Sequence, residues 1–440
     1  MALVLTNALL VDFDPVGVEV GALRIEGGVI AARGDVTAEV NDEVVDCGGA
    51  VVLPGLVNGH THLYSSLAVG MPPPAEAPES FLEILQRVWW RLDQALDAES
   101  IEMSARIGAI NALRCGTTTL IDHHASPNCI GGSLDLIERA IRDVGLRGIL
   151  CYETTDRHGV HGRHAGLDEN RRYLDKCERI PDGQFAGLVG AHASFTVEDE
   201  TLGQLAELAD DFETGVHIHV AEDPCDEEEC QAEHQMFLID RLASHKLLKP
   251  GSVFAHCTHL DPEAMARVGA AGVTIAHNPR SNMNNGVGYT PVGAARGPVM
   301  LGTDGIGGDM LAEAKAAWFM SRHEHAGLAP MHIVDMLAES ARRASRALGV
   351  TLGRLSVGAA ADIVITHYCP FTPLTADNLG AHVLFAMGSQ SVIDVLVGGE
   401  WALCDRKVQS CDEIDTRRTA INVASALWER MAGYDVTGHH

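Results

Sequence analysis

A chain of 440 residues is too long for one small core, and a barrel of ordinary size plus an accessory unit would fill it. Its formal net charge of -28 and pI of about 5.1 exclude a nucleic-acid surface, which needs a basic stripe this sequence lacks, and disfavour polyanionic partners. The apolar stretches are only strand-length, no basic-then-apolar leader opens the chain, and eleven scattered cysteines fit reduced thiols, so the expectation is a soluble cytoplasmic protein with no membrane partner.

In chain order, residues 1–53 hold short apolar stretches punctuated by glycine, at 3–6, 18–25, 28–32 and 43–46, which predict a small antiparallel sheet. The far end has the same texture at 361–366, 391–397 and 401–404. The two ends are expected to meet as one small β-sandwich domain, 1–53 with 355–440, carrying a C-terminal helix. The last triplet, Gly438-His439-His440, reads as the remnant of a purification tag and enters no metal argument.

The middle, 54–354, contains eight apolar runs that each close on a polar residue: 53–60, 117–124, 147–153, 185–192, 215–222, 252–258, 272–278 and 298–304. Helical patterning fills several intervals, at 98–114, 134–144, 199–208 and 310–323. Continuous apolar strands alternating with helices indicate a buried parallel sheet, and eight such units predict an α/β fold of the (β/α)8 TIM barrel type. Its active site belongs at the C-terminal ends of the strands. There lie His60, His62, His123, His124, Glu153, His192, His219, Glu222, His256, His277 and Asp304.

The first run ends in His60-Thr-His62. Alternation along a strand sends both imidazoles to one side, where they can share a metal ion. Alone, such a pair is more often ordinary; the later runs change the reading. The fifth carries His217 and His219 on one face, with His219 nearer the mouth as the third ligand and His217 a layer deeper as a packed, hydrogen-bonded residue. Glu222 falls where that strand becomes loop and can approach a metal-bound water, the sixth run contributes His256, and the eighth ends in Asp304. Substrate-contact candidates are His123, read equally as a structural hydrogen bond, Arg280, and Asp93 on the excursion after the first strand. That excursion also carries Trp89-Trp90 and could cover the pocket. Cys225 and Cys230 lack the second pair a tetrahedral site needs.

Together, His60-Thr-His62, His219-Val-Ala-Glu222, His256-Cys-Thr-His259, the stretch from Ile275 to Met283, and Gly302-Thr-Asp304-Gly, in this order, resemble the amidohydrolase superfamily, in its deaminase and chlorohydrolase branch. The resemblance covers nearly the whole chain. It implies one divalent metal ion, usually zinc with iron(II) the alternative, held by His60, His62, His219 and Asp304. It also implies that His256 hydrogen-bonds the bound water, that Glu222 protonates the ring nitrogen and assists the leaving group, and that His192 contacts substrate. Binuclear relatives use a modified lysine at the end of strand four; here that place reads Gly190-Ala-His-Ala193, which favours one metal. The implied activity is hydrolytic deamination of an amino-substituted nitrogen heterocycle such as a purine, pterin or pyrimidine. A cyclic amide hydrolase or a chlorohydrolase would use the same site, and a non-catalytic metal-binding scaffold is the reading from another class. Family resemblance further suggests a homo-oligomer, with residues 81–93 as a candidate contact.

Overall fold

The computed structural model describes residues 2–434, so the tag-like triplet lies outside the described residues. The eight expected strands are present as β1 (Leu56–Thr61), β2 (Thr117–His124), β3 (Arg147–Tyr152), β4 (Val189–Ala193), β5 (Val216–Val220), β6 (Val253–His256), β7 (Thr274–His277) and β8 (Val299–Leu301). Every residue of β1, β2, β3 and β5 is buried, as strands covered on both faces require. They run parallel in two sheets: β1, β2 and β3 with a three-residue strand Phe185–Gly187, and β4 to β8 in sequence. Isolated parallel bridges pair Thr61 with Asp304 and Thr154 with Ala191, at the places where the two sheets face each other.

The run 185–192 was expected as one strand, but the structure divides it. Phe185–Gly187 pairs with β3, the Leu188 N–H still donates to the Leu150 carbonyl, and from Val189 onward the backbone turns to β5. The eighth strand is shorter than its run. Past Leu301 the N–H groups of Thr303 and Asp304 both donate to the His60 carbonyl, at 2.9 and 3.0 Å, which fastens the end of the eighth unit to the first. Gly302 permits this approach: a Cβ there would lie 2.7 Å from His60 Cβ and 2.5 Å from Asn278 Oδ1.

The two chain ends meet in one nine-stranded sheet. Its centre pairs Val51–Pro54 with Leu3–Phe13 on one side and with Ile363–Thr366 on the other. Arg147, the first residue of β3, reaches Asp362 beside this sheet through Nε and one terminal nitrogen, at 2.8 and 2.9 Å. The excursion after β1 contains a helix Phe81–Ile84, a π-helical turn Leu85–Trp89 and a helix Trp90–Ala95. It docks on the C-terminal helix Glu413–Ala432: Arg91 donates to the Tyr434 and Met431 carbonyls at 3.0 and 3.1 Å, and Arg430 to the Ala95 carbonyl at 2.9 Å. Arg91, within the segment suggested as a subunit contact, is therefore engaged within its own chain. Among the described residues no helix is long and apolar enough to cross a membrane.

Candidate metal centre and active-site cavity

Period-two alternation brings His60 and His62 to the same side of β1, and the structure closes a donor cluster around them. His62 Nε2 lies 3.1 Å from His219 Nε2 and 2.8 Å from Asp304 Oδ1, and His60 Nε2 lies 3.4 Å from the same carboxylate oxygen. The opposite ring nitrogens are occupied: His62 Nδ1–H donates to the His123 carbonyl at 2.6 Å and His219 Nδ1–H to the His192 carbonyl at 2.7 Å. His60 Nδ1 lies 2.8 Å from His217 Nε2, and its own Nε2 is buried without a hydrogen-bond partner. Two overlapping groups of donor atoms, His60, His62, His123 and His219 in one and His60, His219, His256 and Asp304 in the other, are close enough together to hold a metal ion, and their donor types suit a divalent cation. The electrostatics agree. Burial disfavours a charge on His62, yet Asp304 and Glu153 together hold its pKa well above the usual histidine value. Burial likewise opposes the Asp304 charge, but the adjacent His60 and His62 rings keep that carboxyl well below the usual range. The cluster attracts positive charge, and its donor types fit a metal ion.

The expected proton-handling groups border this cluster. Glu222 Oε2 lies 3.5 Å from His256 Nε2. Burial pushes the Glu222 carboxyl well above the usual carboxylate range; Asp304 adds to this and His256 opposes it. His256 ends β6 with φ 71° and Asp304 sits at φ 51°, both left-handed for residues that carry a Cβ. Such backbone strain concentrates at functional sites.

A cavity opens above these groups. Its wall comprises aromatic residues Tyr64, Phe81, Trp89, Trp90 and Phe195, the carboxylates of Asp93, Glu153, Glu222, Asp223, Asp226 and Asp304, and one cation, Arg157. Arg157 is committed: it donates to Asp93 Oδ2 at 3.2 Å and its guanidinium carbon stands 4.4 Å from the Trp90 ring centroid. Burial pushes the Asp93 carboxyl up to about 7 despite that partner. The excursion lines the pocket, with its π-helical turn contributing Leu85 and Trp89 to the wall.

Of the expected substrate contacts, His192 and Asp93 reach the wall, with His192 Nδ1 engaged by Thr196 Oγ1 at 2.7 Å. His123 and Arg280 do not line the cavity. His123 lies beneath the cavity, fully buried, with Nε2–H donating to the His217 carbonyl at 3.1 Å. Arg280 turns away from it, pairing with buried Glu313 and donating to the Ile306 and Gly307 carbonyls at 2.9 and 2.8 Å. The sequence reading gave no role to Glu153, whose Oε1 is 3.1 Å from His62 Nδ1, or to Arg157. Glu153 was visible as a carboxylate closing the third run. Arg157 carried no such signal, because its partner Asp93 lies on a separate excursion.

Comparison with known proteins agrees with this geometry. The model of the amidohydrolase family matches residues 51–402. The chain is 29% identical to a 5-methylthioadenosine/S-adenosylhomocysteine deaminase of Desulforudis audaxviator, covering 98% of this chain and 100% of that protein. It is 28% identical to a 5'-deoxyadenosine deaminase of Methanothermobacter thermautotrophicus, over 91% and 93% of the two chains. Among solved structures, an adenosine deaminase from Xanthomonas campestris with bound zinc shares the fold at a TM-score of 0.83 and 22% identity, over 97% of this chain and 98% of that one.

Proposed function

Since this chain belongs to the amidohydrolase family, we propose that it is a zinc-dependent hydrolytic deaminase of an amino-substituted purine, with an uncharged nucleoside of the adenosine type as the substrate class. The observation that carries this reading is the meeting of Glu222, His256 and Asp304 at the border of the donor cluster. We assign His60, His62, His219 and Asp304 as ligands, in a closed eight-stranded barrel flanked by a small domain of residues 1–53 and 355–440. When bound, the ion lowers the pKa of a water from about 15.7 toward 7 and so supplies a nucleophile near neutral pH.

The protein's own groups supply the rest. Asp304 accepts the proton of the attacking water on the carboxylate that the histidines keep ionised. Glu222, kept protonated toward neutrality by burial, gives its proton to the ring nitrogen next to the amino-bearing carbon, so that the ring can accept the incoming electron pair. Proton return to the amino group then makes ammonia a competent leaving group. His192 and Asp93 orient the ring from the wall, and the aromatic side chains exclude water from it. Arg157, already paired, offers no counter-ion to a phosphate or carboxylate tail. This favours neutral substrates. Free thiols at all eleven cysteines suit a reducing cytoplasm.

The test is ammonia release by zinc-loaded protein across aminopurines, pterins, pyrimidines and adenosyl compounds, with Asp304→Asn as control. Release that depends on Asp304 is expected with neutral adenosine derivatives. Silence across the panel with zinc confirmed bound would overturn the deaminase reading.

A further inference from the structure

The stretch Asn278-Pro-Arg-Ser-Asn-Met-Asn-Asn-Gly286 forms a two-turn helix, Pro279–Asn285, with Pro at its first position and Gly286 closing it in the left-handed conformation at φ 69°. It follows β7, yet its side chains reach groups from three other strands. Ser281 Oγ–H donates to Asp304 Oδ2 at 2.5 Å. Asn282 Oδ1 faces His256 Nδ1 at 2.8 Å. Asn285 Nδ2–H donates to Glu222 Oε1 at 3.3 Å and to Ser281 Oγ at 3.4 Å. Residues 281 and 285 are one helical turn apart on one face, which is why one amide can bridge Ser281 and the glutamate.

The orientation of Asn282 is dictated by its surroundings. Its Nδ2–H donates to Thr290 Oγ1 at 3.3 Å, and the Thr290 hydroxyl in turn donates to the His256 carbonyl at 2.8 Å. The amide oxygen is therefore left to face the ring, so His256 Nδ1 must carry the hydrogen, and in the neutral ring Nε2 presents a lone pair toward Glu222. Arg280 braces the helix from outside: its backbone N–H and guanidinium both engage Glu313, while the guanidinium also holds the Ile306 and Gly307 carbonyls just past Asp304.

We propose that the Pro279–Asn285 helix is a positioning device for proton transfer, in which Ser281, Asn282 and Asn285 each orient one of Asp304, His256 and Glu222. This rests on the deaminase reading for its functional consequence but not for its geometry. The three groups come from the ends of β8, β6 and β5; the pairing of Val220 with His256 sets the end of β5 beside that of β6, but backbone register alone does not orient the three side chains. The two-turn helix contacts all three, and it fixes the His256 tautomer that leaves a lone pair on Nε2, which faces Glu222 Oε2 at 3.5 Å and Asn278 Nδ2 at 3.4 Å.

Three variants and two readouts decide it. With 5'-deoxyadenosine as probe, Asn282→Leu is expected to lower kcat about 10²-fold with KM and zinc content unchanged, the scale of one mispositioned proton transfer. Asn282→Asp, which keeps an oxygen facing Nδ1, is expected to recover most of that loss. Asn285→Ala, at a half-buried position, is expected to lower kcat about 10-fold without changing the melting temperature. Histidine side-chain 15N spectra provide the second readout, with the His256 signal assigned by its loss in His256→Gln. A protonated Nδ1 is expected in the wild type and a redistributed tautomer in Asn282→Leu. A wild-type His256 protonated at Nε2 overturns the proposal, and so does an Asn282→Leu variant within twofold of wild-type kcat. If no probe releases ammonia from the wild type, the deaminase reading falls while the spectra still decide the tautomer.

Discussion

His217 is placed to influence the proposed metal site through its neighbour His60. The outer nitrogens of His62 and His219 are held by backbone carbonyls, which substitution cannot remove. The outer nitrogen of His60 is held by a side chain, His217 Nε2, itself fully buried with Cys151 Sγ 3.8 Å from its Nδ1. For His60 Nε2 to offer its lone pair, Nδ1 must carry the proton, and only an acceptor at His217 keeps it there. His217→Leu is therefore expected to weaken zinc binding about 10- to 100-fold in a chelator competition, with His217→Gln losing less because its amide oxygen can accept in the same place. Equal affinity for His217→Leu and wild type would show that the tautomer is set elsewhere. Glu222→Gln tests the acid by a different route. The amide fits the same space but cannot deliver a proton, so ammonia release is expected to fall by about 10² to 10⁴ with zinc still bound.

At the scale of elements, Arg280 carries a pH dependence. Its partner Glu313 is buried, and burial pushes that carboxyl up to about 7 although Arg280 pulls it down. A buried carboxyl whose pKa is raised in the fold stabilises the fold while protonated, fully below its ordinary value near 4.5, and loses that contribution as pH rises through about 7. Arg280→Met removes the guanidinium that tolerates the ionised form. The variant is thus expected to melt close to wild type near pH 6 and increasingly below it toward pH 9, read by differential scanning at several pH values. A deficit that stays constant with pH would place the role of Arg280 in packing rather than in charge. The same helix marks the limit of what the sequence disclosed. That His60, His62, His219 and Asp304 come close together was legible because strand alternation and strand ends are local rules, and His217 lies buried behind His60, as its deeper position on the same strand face predicts. The pairing of Arg280 with Glu313 was not legible, because that partner lies on another helix and no local pattern couples positions 280 and 313. Ser281, Asn282 and Asn285 were visible as a motif, but their targets depend on how a two-turn helix tilts over three strand ends. The split of the fourth run has a similar origin, since the change of hydrogen-bonding partner at Leu188 depends on neighbouring strands.

For the whole molecule, the question is whether the sheet made from the chain ends is an appendage or part of one cooperative unit. The sequence predicted that the ends meet, because both carry the same short apolar texture, but not how the result is joined to the middle. The structure shows a buried junction: Arg147, at the start of β3, pairs with Asp362 through two nitrogens, and Asp362 also accepts the Gly398 N–H at 2.8 Å. Both side chains are nearly inaccessible, at 8% and 2% exposure, so neither charge tolerates loss of the other. Asp362→Leu strands the guanidinium with the Gly183 carbonyl as its remaining hydrogen-bond acceptor, and should destabilise the protein by about 3 to 5 kcal/mol. Adding Arg147→Leu should recover much of that loss, because an apolar pair of similar size needs no desolvated charge. Urea unfolding followed by tryptophan fluorescence and by zinc release separates the alternatives. The cavity-wall tryptophans Trp89 and Trp90 and the donor cluster lie outside the terminal sheet, and Trp401, which lies within it on the strand Glu400–Cys404, is replaced by Phe in every protein compared. If sheet and barrel form one unit, both probes shift together to lower urea in Asp362→Leu. If fluorescence and zinc release instead stay at their wild-type midpoints while the terminal sheet alone loosens, the sheet is an independent appendage and the junction does not support the active site.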